Sequence, residues 1–408
     1  MDRAYRIHLA SLTLTKMADG MIDPKLVLAW LLNAIGASGV LIGLLVPVRE
    51  AGALLPQLLL ARSIQRAPLR KYFWAMGAAV QGLAALGMAA AAVFLPGNVA
   101  GWVIVGLLAV LAVARSACSS SYKDILARTV EKGARGKVSG SAGTLAAIAV
   151  FAFAILLSIG WLPREPMVIS GAIAVAGVLW LLGAVTFSTL KEPRDDSASD
   201  ADVSIAGLMR PLREDPEFRY YIATRAQLIS TALAPPFLVM LGSGNGDAGL
   251  GNLGLLVLAS SIASIASSYV WGALSDWSSR QTLMLAGALS GVTLITAAII
   301  GFLAGAEAGL LIAAYVFVSQ IAYQGVRAGR KTHLTDMDSD GQKSVYTALS
   351  NTLIGAFLLL GGILGAIADV AGAEIVLVVL SGLSFSAIFS AYRLSEVQAD
   401  VHEESPSS

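Results

Sequence analysis

Twelve stretches of 18 or more mostly apolar residues follow one another along the chain, separated by polar or glycine-rich connections. They lie at roughly 9–32, 40–61, 74–95, 99–121, 138–160, 167–188, 218–241, 251–272, 282–303, 308–327, 345–368 and 373–392. Each is long enough to cross a bilayer as a helix, which takes about 20 apolar residues. The connections after odd-numbered stretches are short and marked by Gly or Pro, as in PGN after the third. Those after even-numbered stretches are longer and charged. The pattern predicts an all-α integral membrane protein with twelve transmembrane helices.

Composition agrees: of 408 residues 56% are hydrophobic and 13% charged, whereas soluble domains carry about 25% charged residues. A soluble enzyme and a nucleic-acid binder are excluded on that ground. The single cysteine, Cys118, forbids an internal disulfide and a cysteine-based metal cluster. His8, His333 and His402 are placed at a span edge, in a loop and in the tail. No Walker loop or nucleophile elbow occurs, so neither enzymatic activity nor a cofactor is expected. The N-terminus lacks the basic region, apolar core and small-residue cleavage site of a signal peptide, so the first helix is expected to be retained.

Most of the 28 Lys and Arg fall at the N-terminus, in the even-numbered connections or after the last span, and only Arg164 falls on the other side. Because basic loops stay inside, both termini are expected in the cytoplasm, with the protein in the inner (plasma) membrane. The stretch 191–216 is acidic and serine-rich at first and then holds a segment suited to a short surface helix. It divides the chain into an N-terminal six-helix bundle over 1–190 and a C-terminal six-helix bundle over 217–394. Residues 395–408 form a polar tail expected to be disordered. Sliding the second half by 211 positions sets Pro24 against Pro235 and Gly43-Leu44-Leu45 against Gly254-Leu255-Leu256. Such a repeat implies two pseudo-symmetric bundles of like orientation.

Some spans carry charges. The first holds Lys16, Asp19, Asp23 and Lys25, with Pro24 between the last two. A charge near the bilayer centre costs at least ~2.5 kcal/mol on insertion scales, so these groups must face protein or water. Positions 16, 19 and 23 share one helical face, with Lys25 roughly opposite. Arg49 and Glu50 lie in the second span, Arg115 in the fourth and Arg225 in the seventh. Asp19 is read either as a proton-coupling or substrate-binding acid, or as a permanent ion-pair partner of Lys16 or Arg49; Glu50 is the second candidate proton site. Lys16, Arg115 and Arg225 fall at one depth and would suit an anionic group, since guanidinium binds carboxylate or phosphate at two points. Gln227, Gln320, Gln324 and Asn351 complete a site or bond between helices. Pro24, Pro235 and Pro236 should kink their spans, while Gly361, Gly362 and Gly365 are read as close-packing residues.

The segment Gly272-Ala-Leu-Ser-Asp276-Trp-Ser-Ser-Arg280-Gln resembles the loop signature of the major facilitator superfamily of secondary transporters, with Ser279 in place of the second glycine. The corresponding first-half segment, 61–71, lacks the glycine and the aspartate. Arg115-Ser-Ala-Cys-Ser119 is similar to the family's fourth-helix pattern. The fifth span lacks the Gly-Pro pair typical of the family's drug antiporters. The resemblance implies that spans one, four, seven and ten line a central cavity, and that Gly272, Asp276 and Arg280 belong to a cytoplasmic gate. It further implies a monomer in the lipid bilayer whose partners are a small-molecule solute and protons, with no nucleic acid and no metal. The expected activity is secondary transport of an anionic or zwitterionic solute by alternating access. The alternatives are an uncoupled facilitator, a drug or metabolite exporter, or a non-transporting sensor of the same fold.

Overall fold

The computed structural model describes residues 3–57, 60, 67–131, 134–159, 161–163, 165–194, 209–242, 253–304, 309–337 and 343–397. Among them the regular structure is helix alone, and the chain divides into two compact units, Met1–Asp202 and Val203–Ser408. Unit 1 contains α1 (Arg3–Met21), α2 (Val27–Ala34), α3 (Gly39–Leu54), α4 (Lys71–Phe94), α5 (Gly97–Thr129), α6 (Arg135–Ser158) and α7 (Pro166–Ser188). Unit 2 contains α8 (Arg210–Glu214), α9 (Pro216–Gln227), α10 (Ser230–Leu241), α11 (Leu253–Trp277), α12 (Ser279–Ala304), α13 (Gly309–Asp336), α14 (Lys343–Leu360), α15 (Ile363–Ala371) and α16 (Ala373–Tyr392).

Among the described residues, eight segments are long and apolar enough to cross a membrane by length and composition: 71–94, 97–129, 135–158, 166–188, 253–277, 279–303, 349–371 and 373–392. The chain is therefore a multi-pass membrane protein. Of the remaining apolar runs, the first, second and seventh carry charges and prolines. Large apolar side chains such as Phe94, Trp161, Leu303, Val370 and Phe389 stand exposed. In water that surface would cost roughly 25 cal/mol per Å²; against acyl chains the cost vanishes.

In unit 1, α4 packs against α5 and α7, α1 against α6 and α7, and α3 against α5. Trp74, Cys118, Ile125, Val138 and Phe187 form part of its core. The α4–α7 crossing depends on two glycines: a Cβ at Gly82 would stand 2.7 Å from the Gly177 carbonyl oxygen, and one at Gly177 would stand 2.9 Å from that of Gly82. Small residues let membrane helices approach this closely, and dispersion then holds them. In unit 2, α12 packs against α13 and α16, and α11 against α13. Phe218, Tyr221, Trp271, Leu283 and Ala387 belong to its core.

Among the described residues, the first, seventh and eleventh apolar runs are broken, not always where the sequence suggested. The first stops at Met21 and resumes at Val27, around Pro24. Asp23 thus leaves the helical phase of Lys16 and Asp19, and the single face expected for the three does not form. Its Oδ1 instead accepts the N–H groups of Lys25 and Leu26, each at 2.9 Å, at the start of α2. In the seventh run Pro235 and Pro236 lie inside α10, and the break falls upstream at Leu228–Ile229. The eleventh run breaks at Gly361–Gly362. These glycines bend the chain as well as packing it, since a Cβ at Gly361 would stand 2.8 Å from Leu233 Cδ1. Of the expected linker and tail, 195–208 and 398–408 lie outside the described residues, as do Arg164 and most of 61–71.

Candidate functional site

In unit 1, the charges of three runs meet at Asp19. Its Oδ1 accepts from Arg49 Nη2 at 2.7 Å and from Arg115 Nη1, so one carboxylate oxygen of α1 holds guanidiniums from α3 and α5. The Arg49 side chain is 9% exposed, Asp19 26% and Arg115 40%. Arg49 is thus sealed in while Arg115 is open on one flank. Glu50 adds its negative charge to both guanidiniums. Lys16 does not join the cluster by a direct bond: its Nζ donates to the Ser139 carbonyl oxygen in α6 at 3.0 Å. Lys25 is buried beside the α1–α2 break.

In unit 2, Arg225 is 7% exposed and donates to Ser350 Oγ and, at 3.0 Å, to Asn351 Oδ1 in α14. Lys16 and Arg225 thus reach the same part of the fifth span in each unit, at Ser139 and Ser350, which are 211 positions apart. A second contact repeats close to that offset: His8 meets Tyr122 edge-on at 5.6 Å, and Tyr221 stacks on His333 at 5.6 Å. Gln227 Oε1 accepts from Ser390 Oγ of α16, which makes it a helix–helix tie. Gln320 and Gln324 both donate to Ser264 Oγ, at 2.9 and 3.0 Å.

The Gly272–Arg280 segment is the corner between α11 and α12. A Cβ at Gly272 would meet nothing within 4 Å, so packing does not demand a glycine there. Asp276 is exposed in the last turn of α11. Arg280 Nε lies 3.1 Å from Glu396 Oε2, which ties the corner to the chain after α16. His333, assigned to a loop by the sequence reading, is fully buried within α13. Its Nδ1 meets Ser279 Oγ at 2.9 Å, and its Nε2 meets Glu217 Oε1 at 3.2 Å. The same Glu217 oxygen accepts the Ser395 N–H at 2.9 Å. Burial pushes the Glu217 carboxyl up, but these hydrogen bonds outweigh it and hold the group below the usual carboxylate range. The first-half corner has a counterpart network missed in the sequence. Arg70 pairs with Asp124, Arg128 Nε lies 2.8 Å from the same carboxylate, and Lys71 Nζ donates to the Ser188 and Leu190 carbonyls at 3.0 and 2.7 Å.

His8 was also missed. It is fully buried at the edge of the first span, with Nε2 2.8 Å from Thr129 Oγ1. Helix α5, with 33 residues, is about 50 Å long and outruns a hydrocarbon core of about 30 Å, so Thr129 stands beyond the membrane-spanning part. The signal for both histidines was helical periodicity continuing past the end of the apolar window.

No protein-family profile matches the chain, and no curated protein matches it in sequence. Solved structures do. A single-residue variant of the nucleoside transporter NupG superposes with a TM-score of 0.74 at 11% identity, covering 96% of this chain and 99% of that one. A single-residue variant of a peptide transporter POT, in complex with sulfate, gives 0.71 at 10% identity over 96% and 94%. A POT family transporter in complex with 5-aminolevulinic acid gives 0.70 at 9% identity over 95% of each chain. These proteins are transporters. At such identities the likeness resides in the course of the helices, and by it the chain has the fold of the major facilitator superfamily of secondary transporters.

Proposed function

We propose that this protein is a proton-coupled secondary transporter for a small anionic solute, working by alternating access between two six-helix halves, 1–190 and 217–394, joined by the linker 191–216. In this reading twelve spans cross the inner membrane, both termini are cytoplasmic, and the protein acts as a monomer. The observation that carries it is the Asp19 carboxylate shared by Arg49 and Arg115. A fully sealed ion pair would serve structure alone, but Arg115 keeps 40% of its side chain accessible. A proton on Asp19 would release Arg115, and a solute anion could replace the carboxylate as its partner. Proton and solute thereby compete for one cation, which is the minimum that coupling requires. An ionisable residue inside a span is a functional-site hypothesis by default. Glu50 is the second acid in the same cluster, and Gly272, Asp276 and Arg280 form part of the cytoplasmic gate.

The test is flux in proteoliposomes with an imposed pH gradient. Asp19→Asn is expected to abolish pH-driven flux, with Glu50→Gln weakening it. Unchanged pH-driven flux in both variants would leave an uncoupled facilitator as the reading.

A further inference from the structure

A cavity of about 530 Å³ opens within unit 2, lined by Arg225, Arg327, Arg330 and Lys331 together with Gln324 and Asn351. Among the described residues, its other lining side chains, Tyr221, Ser268, Ala328 and Leu334, carry no carboxylate. We propose that it binds the phosphate group of a small organic phosphate, the cationic wall neutralising a dianion.

Four cations around one space repel one another, and bulk water alone relieves that only in part. Basic residues near a helix C-terminus are common, because they complement the helix dipole. That preference falls off within the last turn and does not reach Arg327, Arg330 and Lys331, which stand five or more residues before Asp336, the last residue of α13. It does reach Arg225, in the last turn of α9, yet it does not explain why that side chain is almost wholly buried and held by Ser350 and Asn351 so that it borders the same space. A lone carboxylate offers two oxygens and one charge. A phosphate monoester offers three terminal oxygens and close to two charges at neutral pH, which three guanidiniums and an ammonium match better. The volume lies within the ordinary range for small-molecule sites, about 300–1,000 Å³, and exceeds what phosphate alone fills, so an organic body accompanies it. Arg327 and Lys331 are exposed. Arg327 stands 5.9 Å from the Tyr323 ring centre, a contact whose loss the fold survives, so both positions can be changed without unfolding the unit.

Binding stands without the transport reading; only the claim that the ligand is cargo rests on it. The probes are glycerol 3-phosphate, glycerol, succinate and vesicles containing phosphatidylglycerol, each titrated into the purified full-length protein at matched ionic strength. Glycerol 3-phosphate is expected to bind, glycerol not at all, and succinate more weakly than the phosphate. Arg327→Gln and Lys331→Gln are each expected to weaken phosphate binding about tenfold, the loss of one charge-assisted hydrogen bond. Equal binding of succinate and phosphate, wild-type affinity in both variants, or a response to phosphatidylglycerol alone would each overturn the proposal. Counterflow of glycerol 3-phosphate in proteoliposomes separates the two readings. Tight binding without flux removes the cargo claim and leaves the site, whereas flux indifferent to both substitutions removes the site and leaves the transporter.

Discussion

Removing the charge of Asp19 tests whether the buried cluster holds unit 1 together. In Asp19→Asn the amide can still accept a hydrogen bond, so the loss is mainly the charge. Arg49, 9% exposed, then keeps its guanidinium in a sealed site without its closest carboxylate. Breaking a buried pair by removing one partner costs about 3–5 kcal/mol. Arg115, 40% exposed, adds little, because solvent screening limits such a pair to about 0–1 kcal/mol. Glu50 and Asp23 also act on Arg49, which places the expected cost at the lower end, about 3 kcal/mol. Arg49→Gln should cost a similar amount, and the double variant should be more stable than the two losses together imply, with a coupling of about 1–3 kcal/mol. The assay is unfolding of all four proteins in one detergent, followed by helix signal and by calorimetry. Single-variant changes within about 0.5 kcal/mol, or a cycle with no coupling, would refute the reasoning, because surface-like charges behave that way.

Four further outcomes are expected. Burial pushes the His8 imidazole down from 6.5 to about 4; the unfolded chain binds the proton first as pH falls, so His8's contribution is complete above about 6.5, falls toward pH 4 and is absent in His8→Phe when unfolding temperature is scanned against pH. Glu217 is held below the ordinary carboxylate value, so its stabilisation is present above that value and lost as pH drops through the depressed one; Glu217→Gln should flatten this acid limb and leave the His8 window intact. Gly177→Val should cost at least about 1–3 kcal/mol through overpacking at the α4–α7 crossing, while Gly106→Ala, whose Cβ would meet nothing within 4 Å, should leave the unfolding temperature nearly unchanged. Arg280→Gln should cost less than about 1 kcal/mol, since the pair with Glu396 is part-exposed; if the corner gates transport, flux will fall far more than stability does.

The helices in lipid-facing runs were legible because membrane helices announce themselves by uninterrupted apolar length. Their outer ends were not. Tyr122, Thr129 and His333 continue α5 and α13 beyond the apolar windows, held by tertiary contacts that hydropathy does not register. Breaks were legible only where proline coincided with charge, as at Pro24. Pro235 and Pro236 are accommodated within α10, and the chain yields upstream at Leu228–Ile229. At the site, sequence neighbours Arg49 and Glu50 required partners elsewhere, and Asp19 supplies one for Arg49. Which cation goes to which acceptor was not legible: Lys16 turns to the Ser139 carbonyl because α6, not α3 or α5, passes its side of α1. Arg327, Arg330 and Lys331 read as ordinary inside charges until α9 and α13 brought Arg225 beside them.

The interruption between Met21 and Val27 alters how the first span can respond to load. A continuous rod of some 24 residues must tilt as one body, carrying every side chain with it. Two rods joined by a turn share that motion unequally: α2, with Val27 to Leu32 buried, can stay put while α1 swings with its charged side chains. Asp23 fastens the joint through two backbone amides, so the swivel has a fixed axle, and a rearrangement about Asp19 can proceed at the expense of a few backbone torsions.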